Sequence, residues 1–361
     1  MRLFQNSSVI PAYQGRLDFL NSGKLSFIDQ RDTFLFDRSC ASHFLKPVLD
    51  CEPSAFFTNG NDLRLQRAWA RENGLSHNAN LDDILLAQIE AHRTEVFYNL
   101  DPVRYASKFV KRLPGSVKRC IAWRAAPSRL ADFSAFDLMV CNFASILEDY
   151  RKAGLSTAYF APAHDPVMDE YAVNMSRDVD VLFIGSYSRH HRNRAIMLDA
   201  IAAMQGDVKV TMHLDTSSRF TRLAETPIGL IGPLRKHRLP KAIRTISNAP
   251  VFGRDLYKAI SRAKIVVNGS IDMAGRDRGN MRCWEATGCG ALLLSDEGVY
   301  PNGFTPGSTM ATYSSPNDLV SELNRLLLDH EEARHIAGSG YSMIRSIYSK
   351  QQQWIDFQNL I

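Results

Sequence analysis

The run VDVLFIGSYSRHHRNRAIMLDA, residues 179–200, decides the fold. Its apolar first half reads as a buried strand that ends at Gly185-Ser186. A short turn follows, and RNRAIMLDAIAAM (192–204) then carries apolar residues at helical spacing. Strand, glycine turn and helix in that order form the repeating unit of a doubly wound α/β sheet.

The same grammar extends in both directions. Upstream, FLF (34–36), AFFT (55–58), TEVFYN (94–99), CIAW (120–123) and DLMVCN (137–142) are strand candidates. Between two of them, Leu81, Ile84, Leu85 and Ile89 make one helical face behind Asn80 as N-cap. Downstream come the strands VKVTMHL (208–214), KIVVNGS (264–270) and ALLLSD (291–296), alternating with helices. Ser315 and Pro316 open a further helix with Leu319, Leu323, Leu326 and Leu327 on one face. A Pro-containing stretch without periodicity, residues 159–178, separates the two series. The organisation expected is an N-terminal Rossmann-like domain over 1–165 and a second over 166–345. A C-terminal helix, 346–361, is expected to pack back toward the first.

Composition sets limits on function. The 361 residues carry 45% hydrophobic and 22% charged side chains with a net charge of +5, ordinary for a globular chain and too mild for a nucleic-acid binder. No segment reaches the apolar length of a membrane span, and the N-terminus has no signal-peptide core. Six cysteines without a C-x-x-C pair read as reduced residues of a cytoplasmic protein, with no metal site expected.

Two points suit an anion. After Gly185 and Ser186, the arginines Arg189, Arg192 and Arg194 open a helix, where cations oppose the helix dipole unless an anion compensates them. The second is GRDRGNMRCWEATGCGALLLSD, residues 275–296. Here the amides of Asn280, Met281 and Arg282 begin a short helix, and Arg282 and Glu285 share a face at i and i+3. A plain salt bridge and a ligand site are both compatible with that spacing.

FIGSYSRHHRNR followed by GNMRCWEATGCGALLLSD resembles the spore-maturation (CgeB-like) branch of bacterial group-1 glycosyltransferases, over most of residues 178–345. The resemblance implies a GT-B fold, two Rossmann-like domains facing a cleft, with a nucleotide diphosphate sugar held mainly by the C-terminal one. It implies that Glu285 grips the ribose hydroxyls and that Arg282, with the amides around Asn280 and Met281, faces the diphosphate. Gly185, Ser186, Arg189 and Arg194 match the glycine-loop side of the same pocket. Larger relatives place a glutamate where this chain has Asp277, so Asp277 becomes a candidate catalytic acid of shorter reach.

Diphosphate departure can be stabilised by arginines and helix-end amides alone, so no metal or other cofactor is expected. Asp178-Val179-Asp180 precedes a strand and reads as a surface turn. On the acceptor side, Asp101 and Arg124 lead the candidates, ahead of Asn99, Asn142 and His43. Two basic stretches, residues 108–119 and 233–244, read either as solvated faces or as peripheral docking on an anionic membrane. The expected activity is transfer of a hexosyl-type sugar to a cell-envelope glycan, lipid-linked or protein acceptor, with no nucleic-acid partner. The rivals are a sugar-nucleotide epimerase of the same fold and a non-catalytic sugar-nucleotide-binding subunit.

Overall fold

The structure is a computed structural model that describes residues 1–128, 130–187, 192–215, 219–269 and 274–361. The chain divides into two compact units, Met1–Pro162 with Lys350–Ile361, and Ala163–Ser349.

The first unit is built on six parallel strands: β1 (Leu3–Ser7), β2 (Ala55–Asn59), β3 (Val96–Asn99), β4 (Arg119–Trp123), β5 (Leu138–Cys141) and β6 (Thr157–Tyr159). Their order is β2-β1-β3-β4-β5-β6. The chain leaves β1 to one side and returns to place β3 on the other, so the strand order reverses between β1 and β3. The second unit contains β7 (Val179–Ser186), β8 (Val210–Asp215), β9 (Ser247–Asn248), β10 (Ala263–Asn268), β11 (Leu292–Asp296) and β12 (Ala311–Tyr313). Its order, β12-β11-β10-β7-β8-β9, is that of dinucleotide-binding folds, with the reversal between β7 and β10. In such sheets ligands bind outside the carboxyl ends of the strands at the reversal.

Helices cover both faces, and the strands β1, β3 and β5 are buried throughout whatever the polarity of their residues. All five residues of β1 are buried, and Gln5 and Asn6 are satisfied through their side chains. The Gln5 amide donates to the His43 carbonyl at 3.0 Å and accepts from the Leu45 amide at 3.1 Å. Asn6 donates to Asn99 Oδ1 at 2.9 Å.

Asn80 caps Leu81–Ala91 by accepting from the Asp83 amide at 2.9 Å, and Ile84, Leu85 and Ile89 are buried. Ser315 caps Pro316–Leu328 in the same way, through the Asp318 amide at 3.2 Å. The expected strand at FLF is instead part of the helix Phe27–Asp37. Ser26 caps it by accepting from Asp29, and Phe27, Gln30 and Phe34 recur on its buried side while Phe36 is exposed. His43 consequently lies in a single 3-10 turn, Ala41–His43, and does not follow a strand.

Residues Lys350–Gln358 form a helix belonging to the first unit. Its anchor is the buried Lys350, whose Nζ donates to the carbonyls of Ala41, Ser42 and Phe44 at 2.7, 3.1 and 2.7 Å and to Gln353 Oε1 at 3.0 Å. Phe357 packs on Tyr98 and Phe160 with ring centroids 4.9 and 5.7 Å apart. In the second unit the fully buried Trp284 packs edge-on against Phe304 and Tyr348. Cys120, Cys141, Cys283 and Cys289 are buried, Cys40 is half-buried and Cys51 is exposed; all are free thiols. Among the described residues no helix is long and apolar enough to cross a membrane.

Candidate functional site

The helix Met281–Gly288 starts at the carboxyl end of the second sheet, behind Asn280 in an extended conformation. Gly279 precedes it at φ 117°, a value that excludes most L side chains. Asn280 would normally cap the first turn, yet its side chain makes no cap hydrogen bond. It donates instead to Asn268 Oδ1 at 3.0 Å, and Asn268 donates to Ser295 Oγ at 3.0 Å. The Tyr313 hydroxyl donates to the Asn268 carbonyl at 2.9 Å. This polar ladder ties the ends of β10, β11 and β12 to the helix start and leaves the first-turn amides without a side-chain cap. Uncapped amides at the positive end of a helix dipole suit an anion.

No acidic side chain sits in the first turn of this helix. Arg282 lies there, a position the dipole disfavours for a cation. It is held by Glu285, one turn on, with Nη1 2.6 Å from Oε2. The two side chains are 14% and 7% exposed. Arg282 Nε is buried and makes no hydrogen bond with the described residues. Part of the guanidinium is therefore unspent at a site where an oxyanion would satisfy it. Cys283 lies beneath the same turn. Burial, and next the negative charge of Asp296, push its thiol up to about 12, so it is a neutral packing group.

The reversal between β7 and β10 adds the remaining donor-side candidates. Gly185 and Ser186 end β7, with Ser186 exposed. Val267 of β10 is in register with Phe183 of β7, two residues before Gly185. Arg194, on the helix Arg192–Ala203, donates through Nη2 to the carbonyl of Gly269, just past β10. Gly185, Ser186, Arg194, Asn280, Met281, Arg282 and Glu285 thus gather at one end of one sheet. Arg189 lies outside the described residues.

Asp277 has a different setting. It lies four residues before the helix and forms an isolated bridge with Val299. Its amide donates to the Ala274 carbonyl at 2.9 Å, and flanking amides exchange with the same bridge partner, Arg278 to Val299 and Val299 to Arg276, both at 2.8 Å. Its neighbour Arg278 is ion-paired to Asp296 at the end of β11, 2.7 Å away. The roles of Asn268, Ser295, Arg278 and Asp296 escape a reading of local spacing, because the pairs are 27 and 18 residues apart and meet only through strand order. The one signal in the chain is that each polar residue ends an apolar strand run or adjoins the charged stretch before the helix.

In the first unit, Asp101 and Arg124 are engaged by their own loops. Asp101 accepts from Ser8 Oγ, across the β1/β3 reversal, and from the Arg104 amide at 3.3 Å, while its own amide donates to Asn99 Oδ1 at 3.0 Å. Arg124 Nε donates to Ser128 Oγ at 2.8 Å. Asp178 pairs with Arg262 and Lys209, which hold its carboxyl well below the usual range, and Asp180 pairs with Lys264 at 2.7 Å. In the basic stretch 108–119, Arg112 pairs with Asp83 on a neighbouring helix.

Comparison with solved structures places this architecture. The chain is similar to Anabaena HepE, solved in complex with UDP-glucose, over 99% of its own length and 98% of that protein's, at 13% identity and a TM-score of 0.58. The fold is GT-B. The GT-B likeness extends to sucrose-phosphate synthase of Thermosynechococcus elongatus, at 12% identity, a TM-score of 0.56 and coverage of 100% and 98%. It also includes the lipopolysaccharide outer core galactosyltransferase WaaB, at 14% identity, a TM-score of 0.50 and coverage of 99% and 98%. Residues 194–359, which include every described donor-side candidate except Gly185 and Ser186, match a family model described as glycosyl transferase-like. No curated protein matches the chain in sequence.

Proposed function

We propose that this GT-B chain is a metal-independent glycosyltransferase of the CgeB-like branch, taking a hexosyl-type sugar from a nucleotide diphosphate. The observation that carries the proposal is the uncapped start of Met281–Gly288 beside the β7/β10 reversal, with Arg282 locked to Glu285 at 2.6 Å. The diphosphate sits on the first-turn amides of Met281 and Arg282 and on the Arg282 guanidinium, with Gly185, Ser186 and Arg194 on its other side. Glu285 accepts hydrogen bonds from the ribose hydroxyls.

In the reaction the bond between the anomeric carbon and the diphosphate oxygen breaks, and a bond from the acceptor oxygen to that carbon forms. The leaving diphosphate gains negative charge, which the helix end and arginines stabilise without reorganising. The acceptor's proton leaves to a base, Asp101 or Asp277 in this scheme, with Arg124 orienting the acceptor. Cell-envelope acceptors, a glycan, a lipid-linked sugar or a protein, fit a cytoplasmic enzyme that touches an anionic membrane through residues 108–119 and 233–244. HepE's structure with UDP-glucose makes uridine diphosphate the first nucleotide to try.

The test is a thermal-shift and turnover screen against UDP, GDP, dTDP, ADP and CMP sugars. A bound donor at a hundredfold its Kd stabilises by about 2.7 kcal/mol. One sugar nucleotide should raise the melting temperature and release its nucleotide, slowly with water and faster with acceptor. Interconversion of the donor without acceptor would identify an epimerase. Binding without any turnover would identify a non-catalytic subunit, and no stabilisation by any sugar nucleotide would refute the site.

A further inference from the structure

A cavity of about 450 Å³ lies in the second unit at the opposite end of the sheet from the candidate donor site. Its wall includes Arg177, two residues before β7, Lys264 and Ile265 at the start of β10, and Gly290, two residues before β11. The helix His330–Ile347 closes the other side. Lys264 and Asn268 stand at the two ends of β10, about 13 Å apart at strand rise, so the cavity is separate from the diphosphate seat. Its volume falls within the range of about 300–1,000 Å³ typical of small-molecule sites.

The chemistry of the wall is polarised. Ile265 and Leu326, each 1% exposed, lie at the back of the wall, and the small residues Ala333, Ala337 and Gly338 keep the space in front of them open. A Cβ added at Gly338 would meet nothing within 4 Å. Against this stand four basic residues, Arg177, Lys264, His330 and Arg334, and no carboxylate among the described lining residues. Lys264 is neutralised by Asp180 at 2.7 Å. Arg177 is not: its guanidinium donates to the carbonyls of Ile260, Ala263 and Cys289 at 3.3, 2.8 and 3.0 Å and forms no ion pair with any described residue. Burial pulls its pKa below the usual guanidinium value, and its charge is met by backbone carbonyls and by no carboxylate among the described residues. Arg334 likewise forms no ion pair with any described residue, and its Nε donates to the His330 carbonyl at 3.1 Å. Met175, 87% exposed, lines the cavity, and Val173 is exposed beside it. Exposed apolar side chains next to a concave apolar lining mark a place where a ligand's hydrocarbon is covered.

We infer that this cavity is a second ligand site, taking a single-tailed anionic amphiphile with its phosphate or carboxylate between Arg177 and Arg334 and its tail along Met175, Ala333 and Ala337. The guanidinium donors of Arg177 and Arg334 not given to carbonyls suit either head group, and the apolar lining rewards a hydrocarbon body that a free anion lacks. The site lies beyond the proposed sugar-nucleotide site and shares no residue with it.

The test uses the full chain, with decyl phosphate and decanoate below their micelle concentrations as probes. Inorganic phosphate and the neutral amphiphile decyl maltoside are the controls. Calorimetry should show each anionic probe binding one per chain, at least tenfold tighter than either control. Gly338→Leu fills open space in a helix, so it should keep or raise the melting temperature while weakening both probes at least tenfold. Arg334→Ala should weaken them severalfold and leave decyl maltoside unchanged. UDP affinity, measured in the same Gly338→Leu protein, should equal that of the parent chain; a parent that fails to bind UDP bears on the donor site alone. Equal binding of decyl maltoside, or undiminished probe binding in Gly338→Leu, would overturn the inference.

Discussion

Replacing Glu285 by glutamine separates the two roles its carboxylate can have. Glu285 is 5% exposed and accepts from Arg282 Nη1 at 2.6 Å. The amide of glutamine keeps the length and one acceptor, so the contact to Arg282 survives as a neutral-acceptor bond. The guanidinium stays charged, so that bond is still one to a charged group; what is lost is the opposite charge beside a nearly buried Arg282, and unfolding free energy should fall by about 1–2 kcal/mol. If the carboxylate also receives two ribose hydroxyls, each bond weakens by about 1 kcal/mol. Nucleotide affinity then drops about 30-fold. Calorimetric titration with UDP, beside urea unfolding of the same preparation, reads both quantities. A Gln variant that loses stability as stated but binds UDP within threefold of the parent would refute the ribose contact and leave a purely structural ion pair. Glu285→Ala is the poorer probe, because a nearly buried Arg282 without its partner costs about 3 kcal/mol or more and mixes folding with binding.

Three further perturbations test other parts of the fold. Burial first, and then the Lys350 charge, lower the His43 pKa to about 3 from its ordinary 6.5, so the folded chain keeps this ring neutral where the unfolded chain protonates it. Stability is therefore full above pH 6.5 and is lost as pH falls toward 3. The full shift would cost about 2 kcal/mol at pH 5, and partial solvent access to the residue lowers that to about 1 kcal/mol. His43→Phe should lose this slope between pH 7 and pH 5 in urea titrations, and an unchanged slope would exclude His43 as its source. Gly288→Ala would bring a Cβ within 2.5 Å of Met168 Sδ and 2.8 Å of His164 Nδ1. Despite alanine's better helix propensity, unfolding free energy should drop by about 1–2 kcal/mol, and a stabilised variant would show the contact to be soft. Lys350→Met leaves the carbonyls of Ala41, Ser42 and Phe44 short of a donor. It should cost about 2–3 kcal/mol and raise amide exchange first in residues 350–361; uniform exchange along the chain would count against local release.

What could be read in advance divides along physical lines. Helices announced by a cap and a periodic face, such as those behind Asn80 and Ser315, are legible because cap and face are local in sequence. The Arg282–Glu285 pair is legible for the same reason, being one helical turn apart. FLF misleads because three apolar residues suit a strand or a buried helix segment equally, and the deciding signal is the Ser26 cap eight positions earlier. The Asn280–Asn268–Ser295 ladder is invisible locally, since strand order alone brings those side chains together. The polar residues of β1 are hidden similarly: Gln5 and Asn6 look solvent-facing until helices cover both faces of a parallel sheet.

The helix anchored by Lys350 has a consequence for synthesis. The second unit is one unbroken segment, whereas the first waits for residues 350–361, made ~190 residues after Pro162. At about 5–20 residues per second, that interval is about 10–40 s. Throughout it, Tyr98 and Phe160 lack the Phe357 ring that later packs on them. A nascent chain therefore carries an unfinished aromatic surface on its earlier half while its later half completes.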